Sequence, residues 1–249
     1  MCNIPVNTVL GFIKYLSGQN YAGDHIIRRK GIELLRGLMD SLLDFVETLF
    51  SSLKVVFSWM KRQIRILGID DSPFTFNDKY CTVIGAVMRG GEYLECVLSS
   101  RVAIDGNEAT AICKEMIQNT KHRQQLKVVM FDGVALGGFN IVDINELYES
   151  TNLPIITITR DKPDFDKIKL ALQKNFNDWE ERWETLKKGE MYTVETNHNP
   201  IYVKCVGIAI EDAKEIINLS TIRGVIPEPI RVAHVIASGI TRGESYGKA

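Results

Sequence analysis

Several things are scarce or missing in this sequence, and each absence excludes something. There is no CxxC pair among the five cysteines, Cys2, Cys81, Cys96, Cys113 and Cys205, and none shares a ligand spacing with His25, His122, His198 or His234, so a Cys/His zinc site is excluded. The cysteines sit in apolar surroundings such as "YCTVIG" and "LECVL", the setting of buried reduced thiols, which places the protein in a reducing compartment, the cytoplasm. Charge of one sign is lacking too: the formal net charge is -1, so any nucleic-acid partner must be held by a local basic cluster rather than by bulk charge. No apolar run approaches the roughly 20 residues of a membrane span. The opening "MCNIPVNTVLGF" lacks the basic start, apolar core and cleavage site of a secretory signal. There is no internal repeat and no low-complexity linker.

What remains is a chain of 249 residues, 45% hydrophobic and 24% charged, of ordinary globular composition and long enough for one large domain or two small ones. Its two parts differ. From Ile32 to Met60, Leu35, Leu38, Leu42, Phe45, Leu49, Leu53 and Val56 recur every three or four residues between charges such as Asp40, Asp44, Glu47 and Lys54, which predicts an amphipathic helix. Its apolar stripe suits packing on the domain, a protein partner's helix or a membrane surface. "MKRQIRILGIDD", from Met60, reads as the natural start of a domain. Residues 1–60 are therefore an N-terminal helical extension, appended or the product of an upstream start, and 61–249 the main domain.

Beyond Ile64 the pattern changes to short β-rich runs: "IRILGI", "CTVIGAVM", "YLECVLSS", "LKVVMF", "PIITIT" and "IYVKCVGI". "RGGE" between the second and third is a hairpin turn, with Gly90 and Gly91 expected at positive φ. The first three strands thus form an antiparallel meander. Helical stretches then alternate with strands ("NEATAICKEMIQNT", "IVDINELYES"), which requires parallel crossovers, and "PDFDKIKLALQKNFNDWEERWETLKK" and "IEDAKEIINLS" add helices. The fold class is α/β: a mixed sheet, meander first and parallel crossover strands second, with helices on both faces.

In such a sheet the first and fourth strands are neighbours, and each ends in an aspartate, Asp70 of "LGID" and Asp132 of "VVMFD". Carboxylates at adjacent strand ends can share a divalent ion, and oxygen donors suit Mg2+ or Mn2+. Asp105 and Glu108 in "VAIDGNEAT" are candidate third ligands. Asp71 is a second ligand or an outward turn residue. Each acid also has a plainer reading as a turn or helix-start residue, since Asp bonds its own backbone and Glu at a helix start is favoured by the dipole. In "PEPIRVAHVIAS", Glu228 and Arg231 either pair or face the cleft, and His234, three residues on, lies on the same face as Arg231 and reads as a packed residue. "KHRQQLK" and "MKRQIR" are basic clusters. Phe176, Trp179 and Trp183 read as core or a partner face. "TRGESYGKA" reads as non-helical, either disordered or folded over the site to hold a phosphate.

These residues resemble a known family. From about Ile64 onward the chain is similar to the endonuclease V branch of the ribonuclease H-like superfold, in particular to its relatives grouped as domain of unknown function ninety-nine. The likeness rests on "LGID", on "FDGVALGGFNIVDINEL", on "LPIITITR", where the nuclease carries a lysine at the place of Arg160, and above all on "IPEPIRVAHVIAS". It implies a divalent-metal nuclease with Asp70 and Asp132 as metal ligands, Arg160 on the scissile phosphate, Gly133, Glu228 and Arg231 near the substrate, and nucleic acid as partner. Departures accompany it: no wedge segment stands between Ser100 and Asn107, Gly138, Phe139 and Asn140 replace a His-Pro-Arg, and Ile208 stands where the nuclease has a histidine. A non-catalytic nucleic-acid or protein-binding module on the same fold is the alternative.

Overall fold

The computed structural model describes residues 37–38, 40–49, 63–75 and 77–245. The chain divides into two units, 1–57 and 58–249. In the first, residues 40–49 are helical, with Leu42, Phe45 and Leu49 exposed. The rest of the helix expected from Ile32 to Met60 lies outside the described residues. Among the described residues no helix is long and apolar enough to cross a membrane.

The second unit is built on strands β1 (Arg65–Asp71), β2 (Tyr80–Arg89), β3 (Tyr93–Ala103), β4 (Leu126–Asp132), β5 (Ala135–Leu136), β6 (Asn140–Ile141), β7 (Ile155–Thr159), β8 (Tyr192–Val194) and β9 (Ile201–Val206). Its helices are α1 (Ala109–Asn119), α2 (Ile144–Thr151), α3 (Phe165–Asn175), α4 (Trp179–Lys187), α5 (Ile210–Ser220) and α6 (Glu228–Arg242). Seven strands form one sheet in the order β3-β2-β1-β4-β7-β9-β8, and β5 and β6 form a separate ribbon. β1, β2 and β3 are the expected antiparallel meander, and β4 and β7 add in parallel beside β1. β9 and β8 then turn the far side antiparallel. β8, at three residues, is too short to announce itself by periodicity.

Alternation along the central strands sends their side chains into two cores. Leu67 and Ile69 of β1 join Val129 and Phe131 of β4 under α1 and α2, whereas Ile66, Val128 and Met130 pack under α5 and α6. Helices therefore cover both faces. About 0.8 kcal/mol per buried methylene makes these two clusters the main source of stability.

Three expectations need correction. The stretch expected as one helix from Pro163 to Lys188 is two, because the chain becomes extended at Phe176 (φ -132). Asn and Asp, the residue types at 175, 177 and 178, compete with the helix for backbone hydrogen bonds and favour helix ends over helix interiors. In the hairpin only Gly90 takes a positive φ. Gly91 is needed for a close approach: a Cβ there would lie 2.8 Å from the Ser220 carbonyl oxygen. Finally, "TR" of the C-terminal stretch belongs to α6, which Gly243 ends in the left-handed conformation. Residues 246–249, including Gly247, lie outside the described residues.

Candidate active site

β1 and β4 pair in parallel up to Ile69 and Phe131, so the next residue of each, Asp70 and Asp132, emerges at the same end of the sheet. By alternation both carboxylates take the face of Ile66, Val128 and Met130, the face of α6. Asp70 is buried and Asp132 half-buried. Burial, and then the charge of Asp70, push the Asp132 carboxyl up to about 6, against the opposing pull of Arg160 and His234. Arg160, just past the end of β7, brings Nη2 to 3.6 Å from Asp132 Oδ2.

His234 completes this group. Its Nδ1 lies 2.8 Å from Asp70 Oδ2, and the hydrogen bond to Asp70 raises the imidazole above its ordinary range, with burial opposing. The contact depends on how closely α6 approaches the sheet. Gly68, two residues before Asp70 on the same face, touches the first turn of α6 so tightly that a Cβ would stand 2.2 Å from the Pro229 carbonyl carbon. Pro229, near the start of α6, has no N–H to leave unbonded and a preset φ. From this contact the helix carries His234 just over one turn onward, to Asp70.

The remaining acids serve the backbone. Asp71 points to the opposite face of β1 from Asp70 and accepts from the Gly137 amide at 2.6 Å, with the Cys81 thiol 3.9 Å away. Burial and then Asp70 push the Asp71 carboxyl up to about 6. Asp105, at φ 57, accepts from the Phe139 amide at 2.8 Å. Glu108 accepts from the amides of Ala103 (2.5 Å) and Asn107 (3.0 Å), which lower its pKa against the effect of burial. Among the described residues no three or more His, Cys, Asp or Glu side chains are arranged to hold a metal ion. Of the five acids considered as ligands, the structure brings Asp70 and Asp132 together and engages Asp71, Asp105 and Glu108 with amides.

Gly133 takes a positive φ directly after Asp132, and its amide donates to the Ile158 carbonyl at 2.9 Å, with open space where a Cβ would be. Glu228 is buried and Arg231 binds it through Nε and Nη2, with Nη2 2.5 Å from Oε2, so the two pair with each other. Arg123 of the "KHRQQLK" cluster caps α2 at the Thr151 carbonyl, and that cluster precedes β4, at the opposite end of the strand from Asp132. Phe176 meets Phe139 edge-to-face at 5.6 Å and Trp183 meets Phe165 at 6.2 Å, intramolecular contacts both.

Sequence reasoning took His234 for a packed residue, and the structure instead sets it against Asp70. Its signal was present in a pair of facts that only the fold joins, a glycine two residues before a strand-end aspartate and a Pro-x-Arg-x-x-His helix start.

A family model described as endonuclease dU matches residues 62–241, the span from β1 to α6. The chain belongs to the endonuclease dU family. A UPF0215 protein of Methanothermobacter thermautotrophicus is 47% identical over 195 residues, covering 78% of this chain and 95% of that protein. Another from Methanosarcina mazei is 51% identical over 193 residues, covering 76% and 97%. A solved structure of a protein of unknown function from Archaeoglobus fulgidus, 36% identical, superposes with a TM-score of 0.64 over 71% of this chain and 98% of its own.

Proposed function

We propose that this protein is a divalent-metal-dependent nuclease that hydrolyses phosphodiester bonds in nucleic acid, with residues 61–249 as its catalytic domain on a ribonuclease H-like arrangement. The family's description makes deoxyuridine-containing DNA the first substrate to try. One observation carries the reading: Asp70 and Asp132 end adjacent parallel strands on one face, with His234 and Arg160 against them.

The donor chemistry fits a hard divalent ion. Two carboxylates share a partly buried site in which Asp132 is held up near 6 by burial and by Asp70, a cost that a cation would relieve. Asp70 and Asp132 would hold Mg2+ or Mn2+. When bound, such an ion lowers the pKa of a water and neutralises charge on the phosphate. Arg160 supplies a planar guanidinium fork for two phosphate oxygens, a shape that suits it better than a lysine would, although it is a poorer proton donor. His234 orients the Asp70 carboxylate and keeps one of its oxygens from turning away. Gly133, with no side chain over it, leaves room for a phosphate beside Asp132. Glu228 and Arg231 support the reading through α6, because their pairing fixes the turn that precedes His234.

A second reading, a nucleic-acid-binding module without catalysis, is favoured by the engagement of Asp71, Asp105 and Glu108 with backbone amides. The test is cleavage of labelled single-stranded and duplex DNA, with and without deoxyuridine or inosine, and of RNA, in Mg2+ or Mn2+. Wild type is compared with Asp70→Asn and Asp132→Asn. Cleavage that falls about 100-fold or more in both variants is expected. Absence of cleavage with binding intact would leave the binding module as the function.

A further inference from the structure

Between Asp132 and α2 the chain makes an unusually constrained excursion. It leaves β4 through Gly133, forms the β5–β6 ribbon, and turns at Gly137 and Gly138, both at positive φ (58 and 87). Three separate parts of the fold grip this turn. Asp71, at the end of β1, accepts from the Gly137 amide at 2.6 Å. Asp105, past the end of β3, accepts from the Phe139 amide at 2.8 Å while its own amide donates to the Gly137 carbonyl at 2.8 Å. Arg182 of α4 donates through Nη1 to the carbonyls of Phe139 and Gly106, each at 2.7 Å, which ties the ribbon to the Asp105 loop a second time.

The packing leaves no slack. A Cβ on Gly138 would stand 2.4 Å from Asp105 Oδ1, and one on Gly137 would stand 2.8 Å from Cys81 Sγ. Asp105 itself sits at φ 57, a left-handed conformation costly for a residue with a Cβ and kept only where surrounding bonds over-determine it. Ordinary surface hairpins need none of this.

The covalent and hydrogen-bonded path explains what is being held. β1 ends in Asp70 and Asp71, Asp71 grips Gly137, and only four residues of chain separate Gly137 from Asp132. The two strand-end carboxylates are therefore joined twice, once through the β1–β4 ladder and once around the outside through the ribbon. We infer that the β5–β6 ribbon is a strut that sets the separation of the Asp70 and Asp132 carboxylates, and that Asp71 and Asp105 are its positioning residues, acting through the Gly137 and Phe139 amides. Two residues that the sequence offers as metal ligands thus take a different part in the same site. What is positioned rests on the nuclease reading; that it is positioned does not.

A ligand and a positioning acceptor respond differently to one substitution. Asn keeps a carbonyl oxygen for an amide donor but loses the charge a divalent ion requires, so Asp105→Asn should preserve the strut and Asp105→Ala should release it. Crystal structures of the full chain as wild type, Asp105→Ala and Asp105→Asn are the first measurement. The Asp132 carboxylate is expected to shift by about 1 Å relative to Asp70 in the Ala variant and to stay in place in the Asn variant. On the cleaved substrate, kcat should fall about 10- to 100-fold in Asp105→Ala with KM little changed, and return to within about 3-fold of wild type in Asp105→Asn. An undisplaced Asp132 with unchanged kcat in the Ala variant would overturn the inference. So would an Asn variant as damaged as the Ala variant, which would make Asp105 a ligand. If Asp105→Ala does not fold, Asp71→Asn and Gly138→Ala carry the same contrast, the first sparing and the second displacing the turn. If the wild type cleaves nothing, the nuclease reading falls and the crystallographic comparison still decides the strut, displacement supporting it and its absence refuting it.

Discussion

Asp132→Asn is expected to stabilise the metal-free protein above pH 6. The Asp132 carboxyl titrates near 3.8 in the unfolded chain and is raised to about 6 in the folded one, because burial and Asp70 disfavour its charge. As pH rises from about 4, the unfolded chain ionises first and gains what the folded chain cannot, so stability falls until about pH 6 and is level beyond it. A shift of about two units corresponds to about 3 kcal/mol. Asparagine removes that cost, and the pull of Arg160, 3.6 Å away, is already contained in the folded value of about 6. The gain near pH 8 is therefore about 3 kcal/mol, or a Tm rise of about 6–12 °C for a domain of this size. Near pH 4 the gain should vanish. Asp71, also raised to about 6, leaves the variant some pH dependence of the same sign. Urea unfolding in a chelating buffer at pH 4, 6 and 8 measures this directly, and Mn2+ should then raise the Tm of the wild type and not of the variant. A variant less stable than wild type at pH 8 without metal would refute the reasoning, since it would mean that the carboxylate is at ease where it stands.

Gly68→Ala should cost about 3 kcal/mol or more, because its Cβ would meet backbone of Pro229 that has no side-chain freedom to yield, and chemical denaturation checks it. Arg231→Ala leaves the buried Glu228 carboxylate without its partner and should cost about 3 kcal/mol in the same assay, whereas replacing both by Met should cost clearly less. Cys81 and Cys113, pushed up to about 12 by burial, should resist a thiol reagent at pH 8 in the native protein and react on unfolding, with Cys96 reacting earlier.

Much of the architecture was legible because it rests on short-range signals. Alternating β-branched runs and a Gly-containing turn suffice for the meander, and helix between strands suffices for parallel order, so the pairing of β1 with β4 followed, and with it the adjacency of Asp70 and Asp132. What was not legible depends on contacts between distant residues. β8 is three residues long and gains its place only by lying on β9. The break at Phe176 is written in Asn and Asp residues that also occur inside helices, and the contact made there, Phe176 edge-to-face on Phe139, joins residues far apart in sequence.

The acids show the same limit more sharply. Asp70, Asp71, Asp105, Glu108 and Asp132 are alike in composition terms; the ends of β1 and β4 recommend three of them and the segment leading into α1 the other two. Their roles separate through side-chain direction and through what backbone lies nearby: one residue along β1 turns Asp71 to the opposite face, toward the Gly137 amide rather than α6. His234 is the converse case, a histidine that its own helix would pack, recruited because Gly68 lets the helix come close enough. A site of this kind is specified as much by the residue that is missing a side chain as by those that carry the charge. It follows that substitutions at Gly68, Gly137 and Gly138, none of which touches a phosphate, should damage the site as surely as loss of a carboxylate. The difference is that they would do so by moving Asp70, Asp132 and His234 apart while leaving every ionisable group in place.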